Sequence, residues 1–374
     1  MKKIIAPPPP YAHQTDTTDF ITKNLRCLIT SDPGTGKTRS VLDAHVQNKC
    51  VTLVLAPLSI LEAAWVDDII KFQPSINCGV AYAKNRKKIF ESTEYDMVIT
   101  NFEAVNFLFK NPKYLEKFDT LVVDEFTAFK NKDSKRSKHL KAIVQHFDRR
   151  IFMSGTPNTN TILDLWHPTA CVDDGKRLGL RYYSFRNQVC TSRFNGFANE
   201  WIDKPGIEET VAQMVSDITI RHALEDCIDL PDNVTRTLYT DLTPAVQKMY
   251  KTLQDSSVLY RVKKLLQLVS GGVYDQEGKV QYFHQQRHDM VIDLVAVRKH
   301  SLVAFNWKHE RDALTALADK KKISYEIIDG DTPAHKRKGI VQRFQAGQVQ
   351  VLFAHPQSAS HGLTLTKATT CIWC

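Results

Sequence analysis

Residues 31–38 read Ser31-Asp32-Pro33-Gly34-Thr35-Gly36-Lys37-Thr38, a turn that contains two glycines and ends in Lys-Thr. They follow the apolar run 25–30, which predicts a strand, and they precede a helix-length segment. A loop in this position directs backbone N–H groups and a helix N-terminus at one site, which suits phosphate binding. Lys37 is expected to reach the β- and γ-phosphates of a nucleotide, and the Thr38 hydroxyl to ligate Mg²⁺. Ser31 stands where such loops usually begin with glycine.

A second motif, Leu121-Val122-Val123-Asp124-Glu125, is an apolar run that ends in two carboxylates. Such a run predicts a strand whose acidic end lies at the carboxyl edge of a sheet, where ligands of open α/β folds bind. We expect Asp124 to hold Mg²⁺ through water and Glu125 to polarise an attacking water. In isolation the pair would more often be a solvated acidic turn. Its place downstream of a phosphate loop favours the catalytic interpretation.

The third motif is Ile151-Phe152-Met153-Ser154-Gly155-Thr156-Pro157, again an apolar run that ends in small hydroxyl residues. Ser154 and Thr156 could form hydrogen bonds to the acidic pair and relay the state of the γ-phosphate. Taken alone, the motif would be an ordinary turn at the end of a strand.

Composition limits the class of protein. The chain has 374 residues, 43% hydrophobic and 24% charged, which is typical of a globular protein of two or three domains. Its net charge of +9 favours a polyanionic partner such as nucleic acid, although the excess is modest. The apolar start is interrupted at Pro7, too early for a secretion signal. Eight scattered cysteines favour reduced thiols and a cytoplasmic location.

Strands and helices alternate along most of the chain, which predicts parallel sheets covered by helices. Strands are predicted at 25–30, 51–56, 97–100, 121–123, 150–153, 234–239, 301–305, 325–328, 349–354 and 370–373, and helices at 247–268, 310–318 and 335–345. The alternation is interrupted between 171 and 221, where aromatic and arginine residues are frequent.

Further short motifs occur along the chain. They are Tyr11-Ala12-His13-Gln14, Leu55-Ala56-Pro57-Leu58-Ser59 followed by Trp65, Val98-Ile99-Thr100-Asn101-Phe102-Glu103, Val303-Ala304-Phe305-Asn306, Ile328-Asp329-Gly330 and Gln357-Ser358-Ala359-Ser360-His361-Gly362-Leu363-Thr364-Leu365. With the three motifs above, their order resembles that of superfamily-two helicases of the Swi/Snf-like branch, in the compact form found in bacteria and phages. The similarity extends from about Tyr11 to the end of the chain. Phe126 and Thr127 depart from the Ala-His that commonly follows the acidic pair in that family.

The resemblance implies an α/β fold of two tandem RecA-like lobes with parallel sheets. It places the ATP-binding lobe at residues 1–170, an inserted or bridging segment at 171–225 and the second lobe at 226–374. The family's arginine-containing motif would lie beyond Cys374, so the second lobe is expected to be incomplete.

The resemblance also implies which residues contact each ligand. ATP would be bound by Gln14, Asp32, Pro33, Gly34, Thr35, Gly36, Lys37 and Thr38, with Gln14 reading the adenine. Ser154, Thr156 and Gly362 would couple hydrolysis to movement. Nucleic acid would be contacted by Pro57, Thr100, Asn101, Asn306, Gly330, Ser358 and Thr364. ATP and Mg²⁺ are the implied cofactors.

The predicted function is an ATP-dependent translocase or helicase that tracks the nucleic-acid backbone, with duplex DNA favoured by the resemblance. No base-reading module is recognisable, so sequence preference should be small. Two alternatives remain open from the sequence. One is a phosphate-loop NTPase without a nucleic-acid role, and the other is a fragment that binds ATP and DNA without turnover. The choice of DNA or RNA, polarity and strand separation are not decided by the sequence.

Two smaller features have ordinary explanations. The basic runs 84–88, 130–138, 320–322 and 336–338 are typical of solvated faces, although those near 135 and 336 flank motifs expected at the nucleic-acid groove. The pair in Cys371-Ile372-Trp373-Cys374 could ligate zinc or act in redox chemistry, but zinc needs four ligands and the sequence has no second such pair. A buried strand end is the preferred interpretation.

Overall fold

The computed structural model describes residues 7–158, 160–194, 196, 198–229, 233–253, 258–359 and 365–374. The chain forms two compact units, Met1–Asp232 and Asn233–Cys374. The segment 171–225, expected to be an insertion or bridge, is therefore part of the first unit. Among the described residues, no helix combines the length and apolar character needed to span a bilayer.

The elements of the first unit are, in chain order, α1 Ala12–Lys23, β1 Arg26–Ile29, α2 Lys37–Asn48, β2 Thr52–Ala56, α3 Asp67–Phe72, β3 Cys78–Ala81, α4 Arg86–Glu91, β4 Met97–Asn101, α5 Ala104–Lys110, β5 Thr120–Asp124, α6 Lys135–Ile143, β6 Arg149–Met153, α7 Trp166–Asp173, α8 Tyr182–Val189, β7 Cys190–Phe194, β8 Asn199–Asp203, α9 Ile207–Met214, β9 Thr219–Ile220 and α10 Leu224–Cys227. Seven strands form one parallel sheet in the order β3-β4-β2-β5-β6-β1-β9. Strands β7 and β8 form a separate antiparallel hairpin.

The central strands are apolar on both faces because helices cover both sides of the sheet. On β2, Leu53 and Leu55 pack into one core cluster, whereas Val54 and Ala56 pack into the cluster on the opposite face. All four side chains are fully buried. Because the paired strands are parallel, their carboxyl ends lie at a single edge of the sheet, where the polar motif residues follow.

The second unit contains α11 Pro244–Leu253, α12 Val258–Val269, β10 Gly272–Tyr274, β11 Val280–Tyr282, α13 Gln286–Ala296, β12 Ser301–Ala304, α14 Lys308–Lys320, β13 Tyr325–Ile328, α15 Ala334–Gln345, β14 Val351–Ala354, α16 Pro356–Ala359 and β15 Thr370–Trp373. Four of its strands form a parallel sheet in the order β13-β14-β12-β15, and β10 and β11 form an antiparallel hairpin. The predicted α/β class with two parallel sheets is confirmed.

Some expectations about local structure are wrong. Residues 234–239 form no strand, and Val234 and Tyr239 are 70% and 85% exposed, because no described segment pairs with them. The helix predicted at 247–268 is two helices, α11 and α12. Cys371 lies on a strand, but β15 is an edge strand, so Cys371 and Trp373 are exposed while Ile372 packs against the core.

Candidate active site

The phosphate loop connects β1 to α2, the predicted strand–loop–helix arrangement. Gly34 and Gly36 have φ angles of 90° and 82°, a left-handed conformation that glycine adopts without steric cost. At Gly36 a Cβ would also lie 2.2 Å from Nε2 of Gln14, so a larger residue would displace the end of that side chain. The positive φ angle of Gly36, together with this close approach, favours glycine at this position.

Lys37, the first residue of α2, folds back across this loop. Its Nζ donates hydrogen bonds to the carbonyl oxygens of Ser31 at 2.8 Å and Asp32 at 3.0 Å. Burial lowers the pKa of Lys37, and the nearby carboxylates of Glu125 and Asp124 oppose that effect. The Lys37 amine therefore interacts electrostatically with Asp124 and Glu125. This is expected if the three side chains act on the same phosphate group.

Asp124 ends strand β5, and its carboxylate is buried. Its Oδ2 accepts a hydrogen bond from Nε1 of Trp65 at 2.9 Å. Burial raises the pKa of Asp124 to about 7, while the bonds from Trp65 and the positive charge of Lys37 act in the opposite direction. The Asp124 carboxylate is buried with little positive charge around it. A divalent cation bound there would neutralise it, so the residue suits a metal site.

Glu125 and Ser154 lie side by side, because β5 and β6 are neighbours and Asp124 pairs with Met153 in register. The Ser154 hydroxyl donates to Oε2 of Glu125 at 2.9 Å and accepts from the backbone N–H of Thr156 at 3.2 Å. Glu125 itself has a φ of 56°, a strained conformation for a residue with a side chain and one that is common at functional sites. The structure brings Ser154 to the acidic pair, whereas Thr156 contributes its backbone to that bond.

Gln14 lies on α1 and contacts the loop directly. Its Nε2 donates to the carbonyl oxygen of Thr35 at 3.2 Å, and the same oxygen lies 2.8 Å from Nε2 of His13. The Ser40 hydroxyl on α2 donates to the carbonyl oxygen of Gln14 at 3.1 Å. These bonds hold α1 against the loop and α2, and adenine recognition by Gln14 stays a prediction.

One part of the site could not be seen in the sequence. The segment that follows β9 forms hydrogen bonds with the start of the phosphate loop: Asp32 N–H donates to His222 O at 3.0 Å, His222 N–H to Ser31 Oγ at 3.1 Å, and Leu224 N–H to Asp32 Oδ2 at 3.1 Å. The partners are 190 residues or more apart. No local pattern indicates such a pairing, so sequence reasoning missed it.

The residues expected to touch nucleic acid in the first unit lie at the ends of β2 and β4, and they are buried. Pro57 is buried, the fully buried Thr100 donates its hydroxyl to Ala81 O at 2.6 Å, and Asn101 accepts from Arg86 at 2.9 Å. Trp65, which follows the Pro57 motif along the chain, is fully buried and belongs to the core. Nucleic-acid contacts by Pro57, Thr100 and Asn101 stay a prediction.

In the second unit, three of the expected residues lie together. Asn306, Gly330 and Ser358 line one cavity of about 670 Å³, whose wall also includes Lys263 and Lys308. Two further expected residues, Gly362 and Thr364, lie outside the described residues.

Family comparisons cover almost the whole chain. A model described as the SNF2-related domain matches residues 17–290, and a model described as the helicase conserved C-terminal domain matches residues 273–374. The chain belongs to the SNF2-related family. Members of this family are ATP-dependent helicases, which are ATP hydrolases, and the predicted resemblance is confirmed.

SNF2-related proteins from several sources are similar to this chain. It is 26% identical to "Putative protein p41" of Acyrthosiphon pisum secondary endosymbiont phage 1, over 96% of this chain and 82% of the relative. It is 25% identical to an "Uncharacterized ATP-dependent helicase" of Mycoplasma pneumoniae, over 92% of this chain. The "DNA annealing helicase and endonuclease ZRANB3" of Bos taurus is also 25% identical over 92% of the chain. This SNF2-related chain spans about a third of the length of the last two relatives.

Among solved structures, the chain is similar to the "Sulfolobus solfataricus SWI2/SNF2 ATPase core in complex with dsDNA". The TM-score is 0.54 at 20% identity, over 100% of this chain and 83% of that one. The "Sulfolobus solfataricus SWI2/SNF2 ATPase core domain" gives a TM-score of 0.51 at 20% identity, over 95% of this chain and 78% of that one. At this identity the similarity shows the fold, and it confirms the two-lobe SNF2 architecture.

Proposed function

We propose that this chain is a DNA-dependent ATPase that couples hydrolysis to movement along duplex DNA with little sequence preference. The observation that carries the proposal is the convergence of Lys37, Asp124 and Glu125 at the carboxyl edge of the seven-stranded sheet, with Ser154 bonded to Glu125. Phosphoryl transfer requires positioning and charge neutralisation more than covalent chemistry, and these residues supply both.

Each side chain has a separate task in hydrolysis. Lys37 exchanges its bonds to loop carbonyls for bonds to the β- and γ-phosphates of ATP. Glu125 orients a water for attack on the γ-phosphorus and accepts its proton. The Ser154 hydroxyl fixes the Glu125 carboxylate, and through the Thr156 N–H it links the carboxylate to the following loop. Movement of Glu125 on phosphate release is thereby passed to residues 155–157.

Thr38 and Asp124 would hold Mg²⁺ at this site. The buried Asp124 carboxylate, with a pKa of about 7, fits a cation better than it fits an empty site. When bound, Mg²⁺ supplies positive charge that neutralises the phosphate oxygens. Trp65 holds the Asp124 carboxylate through Oδ2, and the Glu125 backbone N–H donates to the same carboxylate, so its orientation is fixed from two sides.

Two features support duplex DNA as the track. The cavity with Asn306, Gly330 and Ser358 is lined by three lysines and three aspartates, and Lys308 is paired with Asp331, so Lys263 and the amide and hydroxyl groups are the candidate contacts to a phosphate backbone. The similar Sulfolobus SWI2/SNF2 core was solved in complex with dsDNA. Backbone contacts of this kind carry no sequence information, so binding should differ little among sequences.

Steady-state ATP hydrolysis tests the proposal. The rate is measured for the whole chain alone and with saturating duplex DNA, single-stranded DNA and RNA, with Glu125→Gln as the inactive control. We expect stimulation by duplex DNA and ATP-dependent displacement of a third strand from a triplex. A rate that no polymer changes would contradict a nucleic-acid motor, and stimulation without displacement would contradict translocation.

A further inference from the structure

A ladder of aromatic rings and cations lies on the surface of the first unit. We call it the aromatic–cation surface, formed by Lys132, Tyr182, Tyr183, Arg186 and Trp201. Lys132 Nζ lies 4.7 Å and 5.1 Å from the ring centres of Tyr182 and Tyr183. Arg186 Cζ lies 5.0 Å from the ring centre of Tyr183 and 3.6 Å from that of Trp201. Cations and rings therefore alternate across α8 and the β7–β8 hairpin.

Part of this surface is open to solvent. Tyr183 is 60% exposed, and Phe194 is 67% exposed. Ser192 pairs with Trp201 in the hairpin, and side chains alternate along a strand, so Phe194 lies on the same face as Trp201. Tyr182 and Trp201 pack against the core, whereas Tyr183 and the neighbouring Phe194 are too exposed for core packing to account for their position.

The charge of Arg186 is not neutralised locally. Within the described part of the chain, no carboxylate pairs with Arg186, and its Nε has no hydrogen-bond partner. Its remaining side-chain contact is a 3.3 Å bond to the Asn187 amide oxygen. The guanidinium therefore keeps its charge, and its terminal amino groups, rather than the buried Nε, are the donors that could meet an anion.

We propose that the aromatic–cation surface binds unpaired nucleotides, so that the protein holds a single-stranded segment beside the duplex. A base stacks on Tyr183, and the adjoining phosphate contacts Arg186, whereas Lys132 is paired with Asp133 at 2.7 Å and supports the tyrosine rings. Exposed rings combined with cations are the chemistry of single-strand binding, because every unpaired base offers a ring face. Duplex DNA offers no such face, since its bases are already stacked on one another. This inference rests on the proposed function and names a second class of substrate for the same protein.

The position of the surface connects it to the ATP site. Lys132 follows Glu125 in the segment after β5, and in the same segment Lys130 forms an ion pair with Asp164 at 3.0 Å. Asp164 also accepts from the backbone of Asn160, in the segment after the loop that starts at Ser154. The segment after Glu125 and the segment after Ser154 thus contact each other next to the aromatic–cation surface.

The test compares two DNA ligands on the whole chain by fluorescence anisotropy. One is a blunt duplex, and the other is the same duplex with a single-stranded tail of about ten nucleotides. We expect the tail to strengthen binding by about tenfold, and Tyr183→Ala to remove most of that gain while blunt-duplex binding changes less than twofold. Tyr183→Phe retains the ring and should retain the gain.

The matched control is Phe109→Ala, which removes an exposed ring from α5 of the same unit. It should leave the gain from the tail unchanged, and thermal unfolding should show both alanine variants folded. Equal affinity of the parent for both ligands would overturn the inference, as would equal loss for both ligands in Tyr183→Ala. Loss of all DNA binding by the parent would instead count against the proposed function.

Discussion

The indole of Trp65 donates its single hydrogen bond to Oδ2 of Asp124 at 2.9 Å, although the residues are 59 positions apart. Trp65 lies in a π-helical turn, Leu61–Val66, and is fully buried. Single π-turns frequently occur at functional sites, where the wider turn reorients a side chain. Here the reoriented side chain holds the carboxylate that ends β5.

Trp65→Phe should test that bond, because it removes the donor and keeps an aromatic ring. A hydrogen bond to a charged group contributes about 1.5–3 kcal/mol, so we expect turnover to fall by about tenfold or more. The Mg²⁺ concentration for half-maximal rate should rise as well. Trp373→Phe, at an exposed indole on β15, is the control. Unchanged rate and Mg²⁺ dependence would mean that Asp124 needs no support from Trp65.

Lys37→Ala and Glu125→Gln should separate binding from hydrolysis. Lys37→Ala removes the charge from the β- and γ-phosphates, so both ATP affinity and turnover should be lost. Glu125→Gln keeps the shape and removes the proton acceptor, so ATP should still bind while turnover falls by about 10² or more. Binding of a fluorescent ATP analogue and steady-state hydrolysis give the two readouts. Parental turnover by Glu125→Gln would refute the role given to Glu125.

Ser154→Ala should leave ATP binding intact and lower turnover by about tenfold, because Glu125 loses the donor that fixes Oε2. The Thr156 N–H loses its acceptor in the same variant, so stimulation by DNA should fall more than the basal rate. Ser216→Ala, at an exposed serine of the same unit, serves as the control. A normal rate in Ser154→Ala would show that Glu125 is oriented without this hydroxyl.

Asp124 should make stability depend on pH when nucleotide and Mg²⁺ are absent. Its pKa is raised from 3.8 to about 7 on folding, so the folded state binds the proton more tightly than the unfolded state. This contribution is fully present below about pH 4 and is lost as pH rises to about 7. Asp124→Asn mimics the protonated form, so it should unfold at a higher temperature than the parent at pH 8. Its free energy of unfolding should exceed that of the parent by up to about 4 kcal/mol. The difference should shrink at pH 5, and a constant difference would contradict the shift.

Lys263→Ala should weaken binding to every DNA sequence alike, because Lys263 lines the cavity with Asn306 and Gly330. Losing one phosphate contact should reduce the slope of log affinity against log salt by about one. Lys320→Ala, at an exposed lysine outside this cavity, is the matched control. A change confined to one DNA sequence would argue against backbone tracking.

The parts of the site that could be predicted are those that short stretches of sequence indicate. The phosphate loop, the acidic pair and Ser154 each follow an apolar strand, and parallel strands bring their carboxyl ends to one edge. The bond between Trp65 and Asp124 could not be predicted, because the two residues are 59 positions apart and no local pattern links a tryptophan to its acceptor.

The fold, too, could be predicted only where short stretches of sequence indicate the element. Strands β1, β2, β4, β5 and β6 are long enough to show as apolar runs, whereas the two-residue β9 is not. The sequence at 234–239 has strand propensity but no partner among the described residues, and propensity without pairing does not make a strand. Pairing between distant segments depends on the topology of the whole sheet. The spacing of apolar residues along the sequence does not indicate that topology.

The bonds from His222 and Leu224 to Ser31 and Asp32 bear on how the protein is made. A ribosome delivers the chain from its N-terminus, and the lysine, the acidic pair and Ser154 all emerge before the residues that brace the loop. The growing chain would therefore carry every catalytic side chain of the first unit before the hydrogen bonds from His222 and Leu224 to the phosphate loop could form. The first unit would then become able to bind ATP late in synthesis, when residue 224 has left the exit tunnel and packed beside the sheet.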